Sequence, residues 1–376
     1  MEQHFIEGYL KTRVGDVPCV ADRLGYRDYL GAIRVRWGIM RDQYHIKPGL
    51  YAVGHPASSS DVFVTANYKL SFDHLRKSLH ELDAWILVLD TKGVNVWCAA
   101  GKGTFGTNEL VNRIRATRLD EVIDHRRLIM PQLGAAGISA HEVRKKTETG
   151  TEGSLVHKVI SVRPAGINFG MVVPERRRGF NVIYGPVKAA HIREFIQRGY
   201  SATPEMRRVT FTFKDRAKLI PIDFIYGKYR LLFTFAIVFL LSGLNRSGFS
   251  LQLALDKGTT AILFVFLAYS TGVVVTPLVL PYIPVGSFAL KGSITGAILS
   301  GLLLFFLRHE FDMLGITAWF LIMTSISSFL ALNFTGSSTY TSLSGVKKEM
   351  RIAIPLQIAS SVTGLLFLVL DNMIKY

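Results

Sequence analysis

The chain has 376 residues, 49% of them hydrophobic, a formal net charge of +16 and a positive mean hydropathy. This excludes a disordered chain, leaves a wholly soluble one doubtful and allows two or three domains, with most of the 44 lysines and arginines gathered before residue 231. The only two cysteines, Cys19 and Cys98, exclude a disulfide framework, a zinc ribbon and a cysteine-ligated iron–sulfur cluster.

The first residues carry no apolar core of a secretory signal, so a cytoplasmic N-terminal half is the expectation. Asp61-Val-Phe-Val-Thr-Ala66 reads as a short β-branched strand, and Phe72, Leu75, Leu79 and Leu82 then recur at helical spacing. Ala84-Trp-Ile-Leu-Val-Leu89 is an unbroken apolar run, the pattern of a strand buried on both faces. A helix is expected over Asn108–Arg118, and Arg127-Leu-Ile-Met130 is extended before Pro131. The turn Gly134-Ala-Ala-Gly137 leads into a helix to about Lys146. Residues 147–179 break the rhythm and read as a surface insertion or hairpin, ending in the triplet Arg176-Arg-Arg178. That triplet suits a solvated face first, and a contact with anionic lipid or an acidic partner second. No nucleic-acid motif accompanies the charge. Phe180–Tyr184 and a helix over Lys188–Gln197 close the series. Alternating strands and helices predict an α/β, Rossmann-like domain with a mostly parallel sheet, whose ligands bind at the carboxyl ends of the strands. Thr65, the loop after Asp90, Gly134 and Gly185 then share one rim.

From Leu231 the sequence falls into five uncharged runs, 231–245, 258–290, 292–307, 313–346 and 352–370. Three meet the length of a membrane-spanning helix, and the first and third reach it if Lys228, Arg230, Lys291 and Arg308 extend to the interface. Five spans are expected, with four as the fallback. With the N-terminus inside, the inner flanks hold Lys214, Arg216, Lys218, Lys228, Arg230, Lys291, Lys347, Lys348 and Arg351. The outer flanks hold only Arg246, Lys257, Arg308 and Lys375, which supports that orientation. The runs lack the ionisable residues of a conduction path, so an anchor is the plainer reading. The expected organisation is a head domain over 1–213, a basic linker over 214–230 and an all-α transmembrane domain of about five helices over 231–376.

The stretch with chemistry in it is Asn95-Val96-Trp97-Cys98-Ala99-Ala100-Gly101-Lys102, just past a buried strand. Cys98 has three readings: a packed small hydrophobe, a nucleophile or a metal ligand. No histidine lies close in sequence to activate a nucleophile. One thiolate holds a metal only if a macrocycle fills the other positions. Residue chemistry alone ranks packing first. Cys19, next to Pro18, also suits packing. His45, His55 and His191 read as surface or turn residues, and neither Asp73-His74 nor Asp124-His125 has the D-x-H-x-x-G spacing of a histidine-ligated cobalt site.

The eight residues 95–102 resemble the cap-helix signature of the HgcA family, the corrinoid proteins of microbial mercury methylation. Pro48–Gly54, Val64–Asp73 and Val182–Val187 also resemble that family, as does an apolar tail of several spans. More distantly, Ala99-Ala-Gly-Lys102 is similar to the cap of the corrinoid iron–sulfur protein, which lacks the cysteine. The resemblance implies a cobalamin-type corrinoid over the strand ends, with Cys98 as lower axial cobalt ligand and catalytic residue. It implies that Asn95 starts the cap helix and that Val96, Trp97, Ala99, Ala100 and Gly101 shape it against the ring. By the same resemblance Thr65 reaches the ring by hydrogen bond, Lys102 contacts a ring side chain and Gly134 belongs to the cofactor-binding set. The implied activity is transfer of a methyl group from methyl-cobalt(III) to Hg(II), or, as the alternative, methyl carriage to another one-carbon acceptor. The implied partners are a ferredoxin-like protein with two [4Fe–4S] clusters, a methyltetrahydrofolate-linked donor protein and the lipid of the cytoplasmic membrane, with the N-terminal domain cytoplasmic.

Overall fold

The computed structural model describes residues 4–148, 157–162, 169–174, 179–334 and 343–375. The triplet 176–178 lies outside them. Two compact units form, one of residues 1–35 and 40–209, the other of 36–39 and 210–376.

The first unit is built on seven strands: β1 (Ile6–Thr12), β2 (Gly15–Val20), β3 (Gly49–Val53), β4 (Val62–Ala66), β5 (Ala84–Leu89), β6 (Arg127–Met130) and β9 (Asn181–Tyr184). Between β6 and β9 in sequence, β7 (His157–Val162) and β8 (Phe169–Pro174) pair antiparallel as a separate ribbon inside the expected insertion. The sheet order is β1-β2-β3-β5-β4-β6-β9. Strands β5, β4, β6 and β9 run parallel. They are the four strands legible in the sequence; β4, β5 and β6 are short, nearly continuous apolar runs buried on both faces, and β9 at the edge is half-buried. The hairpin β1–β2 and strand β3 extend the sheet beyond β5, and β3 pairs antiparallel with it. These three were not expected: β1 reads Ile6-Glu-Gly-Tyr-Leu-Lys-Thr12, with polar residues at every other place, and its burial is at most partial.

Helices cover both faces. Helix α1 (Tyr26–Arg36) and α2 (Lys69–Ser78) precede β5 in sequence; α3 (Val96–Lys102), α4 (Thr107–Ala116) and the short α5 (Leu119–Val122) link β5 to β6. After β6 come α6 (Ala140–Glu148) and, beyond β9, α7 (Ile192–Gln197). Helix α2 starts three residues before the expected Phe72 and ends at Ser78, so Leu82 lies in the following turn. Strand alternation sorts the core. Val62, Val64, Ala66, Leu87 and Leu89 face the side covered by α3, α4 and α6. Phe63, Ile86, Val88 and Ile129 face Phe72, Leu75 and Phe195 of α2 and α7.

One buried knot explains the Val64–Asp73 stretch. Lys69 Nζ donates to Asp28 Oδ1 at 2.6 Å and to Asp73 Oδ2 at 2.7 Å. Arg76 donates to Asp28 Oδ2 at 2.7 Å and to Asp73 Oδ1 at 2.8 Å. All four side chains are buried, and two carboxylates balance two cations. Burial opposes ionisation of Asp28, but the hydrogen bonds from Lys69 and Arg76 outweigh it and hold its carboxyl well below the usual carboxylate range.

The second unit is helical. It opens with α8 (Phe213–Ala217), α9 (Ile220–Tyr226) and α10 (Lys228–Ser242). Then follow α11 (Leu251–Ser270), which continues through a π-helical turn at 271–275 into α12 (Thr276–Val279), and α13 (Phe288–Phe306), α14 (Met313–Asn333) and α15 (Leu343–Lys375). Four stretches are long and apolar enough to cross a membrane, 251–282, 288–306, 313–333 and 345–375. A fifth exists only if 213–226 and 228–242, bent by 55°, count as one. The expected first span is therefore corrected: α10 has 15 residues, a rise of about 22 Å against a hydrocarbon core of about 30 Å. A second correction concerns Lys291. It does not reach outward; it lies buried in the first turn of α13 and donates to the Leu280 carbonyl.

Candidate functional site

Helix α3 crosses the carboxyl ends of the parallel strands. It follows β5 and packs on β4 and on the turn Gln132–Gly134 that follows β6. This is the rim where an open parallel sheet binds its ligands. The helix begins at Asn95, whose Oδ1 accepts the Cys98 N–H at 3.0 Å, the N-cap arrangement that asparagine favours. It ends at Gly103, held at φ 79°, a left-handed conformation that glycine adopts without penalty.

Seven residues give α3 two faces. Val96, Ala99 and Ala100 point inward, 8%, 0% and 5% exposed, and join the core. Trp97, Cys98, Gly101 and Lys102 point outward, and all four are exposed. Cys98 is a free, exposed thiol, which removes the packed reading that residue chemistry ranked first. A Cβ placed on Gly101, one turn beyond Cys98 on the same face, would meet nothing within 4 Å. The surface beside the thiol is therefore flat because of Gly101, and not because of the alanines.

The alanines face the core, where the back of α3 meets a close neighbour. A Cβ on Gly137 would fall 2.1 Å from the Phe105 carbonyl oxygen and 3.0 Å from Ala100 Cα, so the 134–137 turn presses directly on the back of α3. Gly134 is buried for the same cause: a Cβ there would meet Phe105 at 2.5 Å and Met130 at 2.8 Å. Gly134 supports the helix from beneath. Thr65 lies opposite Val88 in the β4–β5 register, on the α2 face of the sheet. It is buried on the side away from α3. The eight residues 95–102 thus form one element. The structure brings Gly134 to its inner side and leaves Thr65 across the sheet.

Sequence reasoning missed Asn67, which places the whole cap. It follows β4 and is buried. Its Oδ1 accepts the N–H of Thr91 at 3.1 Å, the Thr91 hydroxyl at 2.8 Å and the N–H of Gly93 at 3.0 Å. Its Nδ2 donates to Asp90 Oδ1. One amide therefore fixes the loop 90–95 from which α3 departs. The available signal was an asparagine directly after a buried strand, where its amide can satisfy loop backbone.

Cys19 is half-buried in β2, and its Sγ donates to the Gly54 carbonyl at 3.3 Å. Burial, with the charge of Glu7 adding to it, pushes its thiol pKa up. Among the described residues no three His, Cys, Asp or Glu side chains come together as a metal site. A metal on Cys98 would need its other ligands from a group carried in with it. The exposed thiol, the open space over Gly101 and the flanking Trp97 ring fit a flat macrocycle carrying such a metal.

Comparison with known proteins agrees on the region. The family model for the CO dehydrogenase/acetyl-CoA synthase delta subunit, CdhD, matches residues 30–161. That stretch holds β3 to β6, α3 and its supporting turn. Acetyl-CoA decarbonylase/synthase complex subunit gamma of Methanopyrus kandleri is 33% identical over 98 residues, 26% of this chain and 21% of that protein. The subunit of the same name from Archaeoglobus fulgidus is 31% identical over 108 residues, 27% of this chain and 23% of the relative. That of Methanocaldococcus jannaschii is 30% identical over 93 residues, 24% and 19% of the two chains. The chain covers about a fifth of the length of these relatives.

Proposed function

We propose that the chain is a membrane-anchored corrinoid protein that transfers a methyl group to Hg(II), and that Cys98 is the residue that would hold its cobalt. The observation that carries this is the exposed Cys98 on a capped, glycine-flattened helix at the carboxyl rim of a parallel sheet. The similarity to acetyl-CoA decarbonylase/synthase subunits supports the corrinoid and the handling of a methyl group. It does not bear on mercury.

The chain's own residues do four things. Asn95 caps α3 and so fixes where the Cys98 sulfur emerges. Cys98 offers a soft, electron-rich donor to a soft metal. Gly101 leaves the space that a ring lying over the helix must occupy. Asn67 and the 134–137 turn hold the helix rigid from below. A corrinoid held there would supply a transferable methyl group, and the electron-rich sulfur of Cys98 would favour its release, as a carbanion equivalent or a radical, to a soft acceptor such as Hg(II). Lys102, exposed in the last turn of α3, would contact a side chain of the ring. The chain has no cysteines for an iron–sulfur cluster, so a ferredoxin-like partner with two [4Fe–4S] clusters is proposed as the electron donor. A methyltetrahydrofolate-linked protein is proposed as the methyl donor. The helical unit would anchor the head at the inner face of the cytoplasmic membrane.

A second reading is favoured by the relatives themselves, which are named as subunits of an acetyl-CoA-handling complex. In it the same head carries methyl groups to a different acceptor. Anaerobic purification of the full chain in detergent tests both. Cobalt bound one per chain, with a visible spectrum that changes on Cys98→Ala, is the expected result. An unchanged spectrum would remove Cys98 as ligand. Offering methyl-loaded protein Hg(II) and thiols in competition separates the two readings: methylmercury as the main product supports the first, and a methylated thiol with no methylmercury supports the second.

A further inference from the structure

The helical unit contains a cleft of about 590 Å³ between α13, α14 and α15. That volume lies within the range of sites for small organic ligands. Its walls combine Leu290, Ile352 and Leu356 with Ser293, Ser325 and Gln357. Gln357 is only 8% exposed, yet its Oε1 has no hydrogen-bond partner. Its amide nitrogen, by contrast, is paired with Ser328. The Ser328 hydroxyl spends its one proton on the Ala289 carbonyl at 2.9 Å, so it can only accept from Gln357 Nε2, at 2.8 Å. The oxygen is therefore the atom left bare, a buried acceptor waiting for a donor, and leaving one unmet is costly. Ile352 and Leu356, on the wall of the cleft, are themselves 61% and 65% exposed, so the cleft opens at the surface of the bundle, which hydrocarbon would bathe.

We propose that this cleft binds one lipid-soluble molecule with an apolar body and a hydroxyl group, a phenol or ring alcohol, whose O–H donates to Gln357 Oε1. The inference rests on the helices lying in a membrane, as proposed above. Lys348 and Glu349 also line the cleft, so from that medium it admits molecules with an apolar body and a polar end. The bare amide oxygen selects among them for one that can donate, and an ether of the same shape leaves both oxygens unpaired.

The test uses the full chain in lipid nanodiscs, with 1-naphthol and 1-methoxynaphthalene as probes, titrated by fluorescence against empty nanodiscs. Saturable binding of one naphthol per chain is expected, about tenfold tighter than the ether. Gln357→Leu is expected to bring naphthol down to the level of the ether. Equal binding of the two probes, partitioning without saturation, or naphthol affinity unchanged in Gln357→Leu would each overturn the site. If Gln357→Leu does not survive purification, Ser293→Phe gives a second arm by filling the cleft: lost saturable binding supports the site, and retained binding overturns it. A chain that cannot be incorporated into nanodiscs would overturn the membrane reading and this site with it. Incorporation without saturable binding would overturn the site alone.

Discussion

Cys98 and Gly101 stand one turn apart on the open face of α3, and each makes a separate prediction. The two thiols differ in access: Cys98 is exposed, whereas Cys19 is half-buried, bonded to a carbonyl and raised in pKa by burial. Iodoacetamide should therefore modify Cys98 first in cofactor-free protein, and cofactor loading should protect it, as read by peptide mass spectrometry. Cys19 modified first would contradict the geometry. At Gly101 the expectation is unusual for a glycine. Leucine there meets empty space and gains helix propensity of about 1 kcal/mol, so Gly101→Leu should unfold no more easily than the parent. It should nevertheless lose cobalt binding, because its side chain stands where the ring must lie. Gly137→Ala is the contrasting variant, since its methyl would strike the Phe105 carbonyl. It should lower the melting temperature first and cofactor binding only as a result.

Helix α3 is too short to hold its own place, since helices of this length are marginal without tertiary support. Its position is set by Asn67 from one side and the 134–137 turn from the other. Asn67→Ala would strip the acceptor from two N–H groups in the 90–95 loop, while the Thr91 hydroxyl keeps the Val94 carbonyl at 2.6 Å. At about 1–3 kcal/mol for each buried group left unsatisfied, the head should be destabilised by several kcal/mol. Cobalt occupancy should fall in step, although the side chain never faces the open side of α3. A variant with normal stability and normal occupancy would show that the loop needs no such brace. In α2 the spacing of Lys69, Asp73 and Arg76 aims all three at one buried point, where Asp28 of α1 completes the charge balance. The folded-state pKa of Asp28 is depressed, so its contribution is fully present above the unfolded value of about 4 and is lost as pH falls below it. Thermal melts of the full chain in detergent should thus weaken from about pH 4 downward. Asp28→Asn should flatten that acid limb and cost about 3–5 kcal/mol at neutral pH, because two buried cations then share one carboxylate.

Across the helical unit the side chains mark two ends. At one, Asn372 donates to the Ser242 carbonyl and accepts from Lys257, while Lys375 pairs with Asp312. At the other, Arg216 donates to the Leu278 carbonyl, and Glu349 accepts from Ser287 and the Ala289 N–H. Helix α10 runs from the second end to the first, so the chain passes between them five times if the bent stretch 213–242 counts as one pass, and four times otherwise. The basic residues expected inside all belong to the end of Arg216 and Glu349. Extraction of cell membranes with carbonate should leave the chain in the pellet, and cysteine-labelling of a Ser247→Cys variant should mark the opposite face from the head. A soluble chain, or labelling only from the head's side, would contradict the anchor.

Much of this was written locally. Four parallel strands, the helices between them and the apolar tail each announce themselves through the period of their own side chains, and Asn95 caps the helix it was expected to start. The long-range partners were not. That Gly137 must lack a side chain against Phe105 and Ala100, that Gly134 yields to Phe105, that Thr65 turns to the α2 face and that Lys291 bonds a carbonyl eleven residues away are facts about neighbours distant in the chain. The outer strands β1 and β2 are likewise half-polar segments whose burial depends on a sheet that other residues supply. Periodicity reports which face of an element is apolar; only the packed molecule reports what that face meets, and the exposure of the one sulfur at the rim is a property of that packing.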